Sequence, residues 1–205
     1  WNTNQNKIKM YLKSLVIPNK KVFARKCELK KIDKNTANAF TDKYHLQGHA
    51  RLSSISYGLY YDNELLSVMS FGVVRLHKKE VGKYELHRYC VKDGYTIVGG
   101  ANKLLTAFER EYAPKYLLSY SDNDYFSGGI YDKLGFNNDG QTNPRYYWYN
   151  NGIEIKREKC QLRYLKLDYP ELYKESEGEK NREDYIMLKL GACKVYRSGN
   201  TRWIK

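Results

Sequence analysis

The sequence predicts an α/β protein of the α+β kind, with helices flanking a mixed central sheet. Three observations lead there. Strand-length apolar runs are interleaved with segments whose apolar residues recur every three or four positions. Apolar residues make up 41% of the 205 positions and charged residues 29%, the balance of a packed chain rather than a disordered one. The longest apolar runs, such as 65–74, have strand length and fall short of the roughly eighteen residues a membrane helix needs. Residues 1–6 have no apolar core behind a basic flank, so no signal peptide is expected.

The elements follow in order. Residues 22–32 read as a strand. Residues 36–45 read as a helix with Ala37, Phe40 and Tyr44 on one side. Strands at 54–61 and 64–75 flank the turn Asp62-Asn63, and 84–91 alternates as a further strand. A helix from 98 to 112 carries Ala101, Leu104, Leu105, Phe108 and Tyr112 at helical spacing, and Pro114 ends it. A strand at 116–121, a short helix at 127–134 and a hairpin at 145–163 across Asn150-Asn151-Gly152 complete the pattern. Residues 171–184 hold six acidic and three basic groups and are expected as a loop or exposed helix. The domain layout expected is a basic arm or linker over 1–21, one domain over 22–163, and a C-terminal extension packing on it over 164–205.

Charge points to a partner. The net charge is +13, and residues 1–35 hold ten lysines and arginines against Glu28 and Asp33. Such a segment neutralises phosphates and releases counterions, so double-stranded DNA is the expected partner. The same stretch also has Ile8, Tyr11, Leu12 and Leu15 at helical spacing, which a solvated amphipathic helix would explain. Lys20, Lys21, Arg25 and Lys26, with Arg197 and Arg202 in the basic tail, are the candidate DNA contacts. Trp203 in that tail suits base stacking, and a closing edge strand suits it equally. The 21 tyrosines against 6 phenylalanines agree with nucleic-acid contact and equally with tyrosine-rich core strands. Cys27, Cys90, Cys160 and Cys193 have no zinc spacing, and free thiols in a reducing cytoplasm are expected.

The segments that carry chemistry are few. Val98, Gly99, Gly100, Ala101, Asn102 and Lys103 open a helix with small residues, leaving first-turn amides open to an anion such as a pyrophosphate, or allowing close packing. His45 and His49 follow the first helix, and Gly48 between them permits either a continued helix or a turn. With Asp122 they form either a metal set, for a divalent ion such as iron or zinc, or a base and its orienting carboxylate. Both histidines are otherwise surface or packing residues. Arg88 lies on a strand in apparent phase with Tyr84, Leu86 and Cys90, where it needs an anionic or planar partner or a neighbouring ion pair.

Thr96, Gly99 and Ala101 fall where the GNAT acetyltransferase fold carries its pyrophosphate motif, with threonine at the family's Arg or Gln position. Tyr131, Gly135 and Phe136 match its second signature. Residues 22–163 resemble that fold. The resemblance implies a bound acetyl-CoA or another acyl donor, and Tyr131 as the acid that protonates the departing thiolate. The set His45 to His49, Glu85 to Arg88, Val98 to Ala101, Tyr120 to Asp122 and Gly129 to Tyr131 looks like the phage Mom-like branch, found also behind nucleases in phage homing endonucleases.

That likeness implies a phage-encoded protein of the host cytoplasm that modifies the exocyclic amine of adenine in DNA and so counters restriction. His45, His49, Arg88, Asp122 and Tyr131 would be its catalytic residues. The alternatives are a disabled, DNA-binding module of a homing-endonuclease-type protein, which Thr96 favours, and an N-acetyltransferase of small molecules or proteins.

Overall fold

Helix α1 (Gln5–Val16) opens the described chain and buries none of its residues. The structure, a computed structural model, describes residues 5–74 and 81–205. Within the basic arm expected over 1–21, the helical spacing has therefore produced a helix, and residues 1–4 lie outside the described chain. The strand expected over 22–32 is two strands. These are β1 (Lys20–Phe23) and β2 (Glu28–Lys31), broken by a 3-10 turn at Ala24–Lys26. Each half pairs elsewhere, and the turn closes with the Cys27 amide donating to the Ala24 carbonyl at 3.0 Å. Helix α2 (Lys34–Tyr44) starts under Asp33, whose carboxylate accepts from the Asn35 and Thr36 amides.

Then come β3 (Ile55–Tyr61), β4 (Glu64–Val73), β5 (Lys83–Val91), β6 (Tyr95–Val98), α3 (Gly100–Tyr112), β7 (Tyr116–Asp122), α4 (Gly129–Lys133) and β8 (Asn137–Gln141). Strand β4 covers the expected 64–75 up to Val73, and Arg75 lies outside the described residues. Next follow β9 (Tyr146–Asn150), β10 (Ile153–Ile155), α5 (Leu162–Asp168), α6 (Pro170–Glu175), α7 (Arg182–Lys189), β11 (Cys193–Tyr196) and β12 (Asn200–Ile204). Strands β6 and β8 had no signal in the sequence: one is four residues long, and the other reads Asn-Asn-Asp-Gly-Gln.

Two compact units result. The first comprises 1–121, 128–140 and 201–205. Its sheet has the order β2-β3-β4-β5-β7-β12-β8. The pairs from β2 to β5 are antiparallel, and β5 pairs with β7 in parallel. Helix α3 covers one face, where Leu104, Leu105 and Phe108 pack with Leu59, Phe71, Leu86 and Leu117. The Phe71 and Phe108 rings stack at 3.8 Å. Helix α2 covers the other face, where Ala37 and Phe40 meet Val68 and Cys90. The mixed α/β architecture is thus the one the alternation predicts. The tail forms two strands: β11 is an edge strand of a three-stranded sheet, whereas the part that holds Trp203 is neither an edge strand nor a stacking surface. β12 lies between β7 and β8, and Trp203 is 4% exposed with its Nε1 donating to Ser121 Oγ at 2.9 Å. A buried indole with its N–H satisfied is the more favourable use of that side chain.

The second unit comprises 122–127 and 141–200. Its sheet is β10-β9-β11, and its core joins Trp148, Cys160, Leu165, Ile186, Met187 and Ala192. The hairpin expected at 145–163 lies in this unit as β9 and β10. The acidic stretch 171–184 supplies parts of α6 and α7, and Glu183 accepts from Trp148 Nε1 at 2.9 Å.

Candidate active site

The candidate site forms where β5 and β7 part. Their parallel pairing runs from Lys83–Tyr116 to Leu86–Ser119 and stops. The cause is visible on the other edge of β5. Ser70 of β4 pairs with Arg88 and Phe71 with Leu86, so His87 is an extra residue, a bulge. A bulge bends its strand and increases its twist, which turns the second half of β5 away from β7. It also corrects the expected phase of Arg88. Tyr84 and Leu86 face α3, but beyond the bulge it is Tyr89 and Val91 that do so, while Cys90 faces α2.

Polar groups collect at the parting. Ser119 Oγ donates to the Leu86 carbonyl at 2.8 Å. The Tyr131 hydroxyl lies 2.9 Å from that Oγ and donates to the Tyr120 carbonyl at 3.3 Å. Its ring stacks on Trp203 at 5.2 Å and meets Phe136 edge-on at 5.5 Å. Burial raises the Tyr131 pKa above the ordinary tyrosine value, against a smaller lowering by Ser119 and Arg88, so the phenol holds its proton at neutral pH.

Arg88 reaches from β5 to the loop after α2, donating from Nε to the Gly48 carbonyl at 2.9 Å and from Nη1 to the His87 carbonyl at 2.7 Å. That loop is a turn, so His45 and His49 do not stack along a helix. Helix α2 ends at Tyr44, and Gly48 takes φ +66°. A β-carbon there would come 2.8 Å from Asp42 Oδ1. Glycine therefore lets Asp42 sit under the turn, and its carboxylate holds His49 Nδ1 at 2.8 and 2.9 Å and accepts from the His49 amide at 3.0 Å. Those contacts lower the Asp42 pKa. His45 differs. Its Nδ1 accepts from the Gln47 amide at 3.1 Å, and burial, with Arg88 and Lys7 nearby, pulls its pKa down to about 4. It is neutral at pH 7, with its proton on Nε2.

On the other side of β5, β6 leads into α3 through Gly99. A β-carbon on Gly99 would meet only Ala24, at 3.8 Å. The expected anion site is narrower than the sequence implies, because the Tyr89 hydroxyl lies near enough to the Ala101 amide for that N–H to lower its pKa slightly, against the larger raising by burial. Lys103 Nζ donates to the Ala24 and Cys27 carbonyls at 2.9 and 2.7 Å, which ties the 3-10 turn to α3. Lys20, Lys21, Arg25 and Lys26 are all exposed on β1 and that turn. Arg197 and Arg202 instead hold carboxylates, Asp124 and Asp139 respectively.

The metal set does not form. Among the described residues no three of His, Cys, Asp or Glu come together to hold an ion, so His45, His49 and Asp122 are not a ligand set. The carboxylate on His49 is Asp42, while Asp122 belongs to the second unit, where it accepts from the Asp124 amide at 3.1 Å. Sequence reasoning missed Asp42, Ser119 and a second imidazole network. In that network His87 Nδ1 lies 3.1 Å from Ser53 Oγ, and Nε2 lies 3.7 Å from Glu85 Oε2. The motif Glu85-Leu86-His87-Arg88 held the signal, but only the bulge shows which of its side chains share a face.

No protein-family model matches the chain, and no curated protein matches it. Among solved structures the chain is similar to a GNAT family acetyltransferase from Elizabethkingia anophelis with acetyl-CoA bound. Identity is 16% over 64% of this chain and 93% of that one, with a TM-score of 0.41. It is also similar to an acetyltransferase of Bacillus subtilis in complex with CoA, at 15% identity over 63% and 93% of the two chains and a TM-score of 0.43. The ribosomal-protein-S18-alanine N-acetyltransferase of Escherichia coli matches at 16% identity over 62% and 88%, with a TM-score of 0.44. Overlap of this extent transfers no residue roles. No helix among the described residues is long and apolar enough to cross a membrane.

Proposed function

We propose that this protein is a GNAT-type acyltransferase that moves an acyl group from a CoA thioester to an amine, and that the amine is the exocyclic nitrogen of adenine in DNA. The observation that carries this reading is the parting of β5 and β7 after Leu86 and Ser119, with the Tyr131 hydroxyl at the fork. A thioester supplies an electrophilic carbonyl and a thiolate that must leave, and a buried, protonated phenol at that point is a suitable acid. The exposed surface of Gly99 and the first turn of α3 suit the donor's phosphates. His49 is the base in this reading. Asp42 holds its Nδ1 and leaves Nε2 to take the amine proton. His45, neutral and carrying its proton on Nε2, is a hydrogen-bond donor beside it. Lys20, Lys21, Arg25 and Lys26 present an exposed basic strip that Lys103 ties to α3, which favours DNA as the acceptor. The base would be flipped out of the stack to reach the site.

Two experiments test this. Mass spectrometry of nucleosides from DNA of cells expressing the protein should reveal an adenine adduct, and unmodified DNA would refute the DNA substrate. Calorimetry should show binding of CoA. A second reading, a DNA-binding module that has lost its donor site, is favoured by Thr96 and by the Tyr89 hydroxyl near the Ala101 amide. DNA binding with no CoA binding would decide for the module.

A further inference from the structure

Among the described residues, no carboxylate pairs directly with the Arg88 guanidinium. Its guanidinium is largely withdrawn from solvent, which lowers its pKa. Among the described residues its hydrogen-bond partners are the Gly48 and His87 carbonyls, which are uncharged and take two of its five N–H groups. Among the described residues no carboxylate lies within ion-pair distance. Glu85 is near enough to be felt but sits 3.7 Å from His87, and Asp42 is committed to His49. Lys7 adds a second positive charge on the same side, acting on His45 and Asp42. A partly desolvated guanidinium with spare N–H groups is a fork for a carboxylate or phosphate, which can take two parallel hydrogen bonds from it. Its place on β5 is two residues past the last pairing with β7, and its charge acts on the Tyr131 phenol. That is the acyl end of the proposed site.

We propose that Arg88 binds an anionic oxygen pair on one of the two substrates, either a carboxylate at the far end of the acyl group or a phosphate of the acceptor nucleotide. The donor source rests on the acyl-transfer reading; the acceptor source does not. Of the two, the donor places a second carboxyl group on a short acyl chain, as in a dicarboxylic acid monothioester.

Calorimetry on the full chain tests both arms. The donor arm compares acetyl-CoA with succinyl-CoA, which differ by an acyl carboxylate and its methylene. The acceptor arm compares deoxyadenosine with deoxyadenosine 5′-monophosphate. In one arm the anionic compound should bind about tenfold tighter or more, the strength of a charge-assisted pair. That preference should vanish in Arg88→Gln and persist in reduced form in Arg88→Lys, which keeps the charge without the fork. If Arg88→Gln unfolds through loss of the Gly48 contact, the reduced preference of Arg88→Lys against wild type reads the same quantity. No preference in either arm, or a preference that survives loss of the guanidinium undiminished, overturns the proposal. Failure of every CoA compound to bind sinks the acyl-transfer reading alone, because the acceptor arm still reports on Arg88.

Discussion

Replacing Tyr131 with phenylalanine separates its chemistry from its packing. The variant keeps the ring stacked on Trp203 at 5.2 Å and edge-on to Phe136 at 5.5 Å. It loses the hydroxyl contact with Ser119 at 2.9 Å and the bond to the Tyr120 carbonyl at 3.3 Å. Ser119 keeps its own acceptor, the Leu86 carbonyl. One neutral hydrogen bond is therefore removed without stranding a donor, which costs about 0.5–1.5 kcal/mol. For a chain of this size that lowers Tm by about 1–6 °C. Losing a general acid costs about 10²–10⁴ in rate. The assay is thiol release from the acyl donor in the presence of the acceptor, followed against pH alongside a thermal melt. Burial raises the phenol's pKa, so wild-type activity should hold through neutral pH and fall only above the ordinary tyrosine range. The phenylalanine variant should lack that alkaline limb. A variant with wild-type turnover refutes the acid role, and a Tm loss several times larger makes the hydroxyl structural.

Four further outcomes are expected. Gly128→Ala should cost about 2–4 kcal/mol in urea unfolding, because Gly128 has φ +80° and a β-carbon would fall on the Trp203 ring that backs Tyr131. His45 should make stability pH-dependent. Its folded pKa, about 4, lies below the unfolded value near 6.5, so the unfolded state binds the proton more readily and stability is lost as pH falls through that window. The loss is on the order of 2–3 kcal/mol, and His45→Gln should flatten it in denaturant titrations between pH 7 and 4. Replacing Lys20, Lys21, Arg25 and Lys26 with alanine should reduce the slope of log affinity for DNA against log salt by about 3.6 where each meets one phosphate, and an unchanged slope removes the basic strip from the interface. Tyr89→Phe removes the hydroxyl near the Ala101 amide and should tighten CoA binding; unchanged affinity would place the donor's phosphates elsewhere.

The alternation of periods was enough to place nearly every long element, because α2 and α3 each bury one apolar face and the central strands β3 and β4 are apolar runs buried on both faces. What the sequence concealed is local and non-periodic. The bulge at His87 leaves no trace in apolar spacing, yet it decides that Arg88 faces α2 and that β5 leaves β7. The sequence offers Asp122, at a strand end, as the carboxylate for His45 and His49. The structure uses Asp42, one helical turn and a glycine turn away. Short pairings such as β1 with β6 and β12 inside the sheet depend on neighbours far along the chain, which no window of residues can report. Trp203 illustrates this. Beside Arg202 it reads as a base-stacking residue, and only the sheet order shows that it is buried against Tyr131.

The choice between enzyme and binding module turns on what a module would gain from these groups. A half-buried guanidinium with no carboxylate at ion-pair distance among the described residues, an imidazole driven to about pKa 4, and a phenol with its pKa raised by burial all oppose folding to some degree. DNA binding would require none of them, since an exposed basic strip such as that on β1 and its turn can meet phosphates without desolvation. Their convergence near the parting of β5 and β7 is explained if a reacting carbonyl and an amine meet there: the phenol provides a proton, the imidazoles manage one, and the guanidinium holds a negative end. Against this stand Thr96 and the Tyr89 hydroxyl near the Ala101 amide, and both concern how the donor is gripped, not the reacting groups. A weakly held donor with an intact reaction centre is therefore the combination that accounts for all of these residues together.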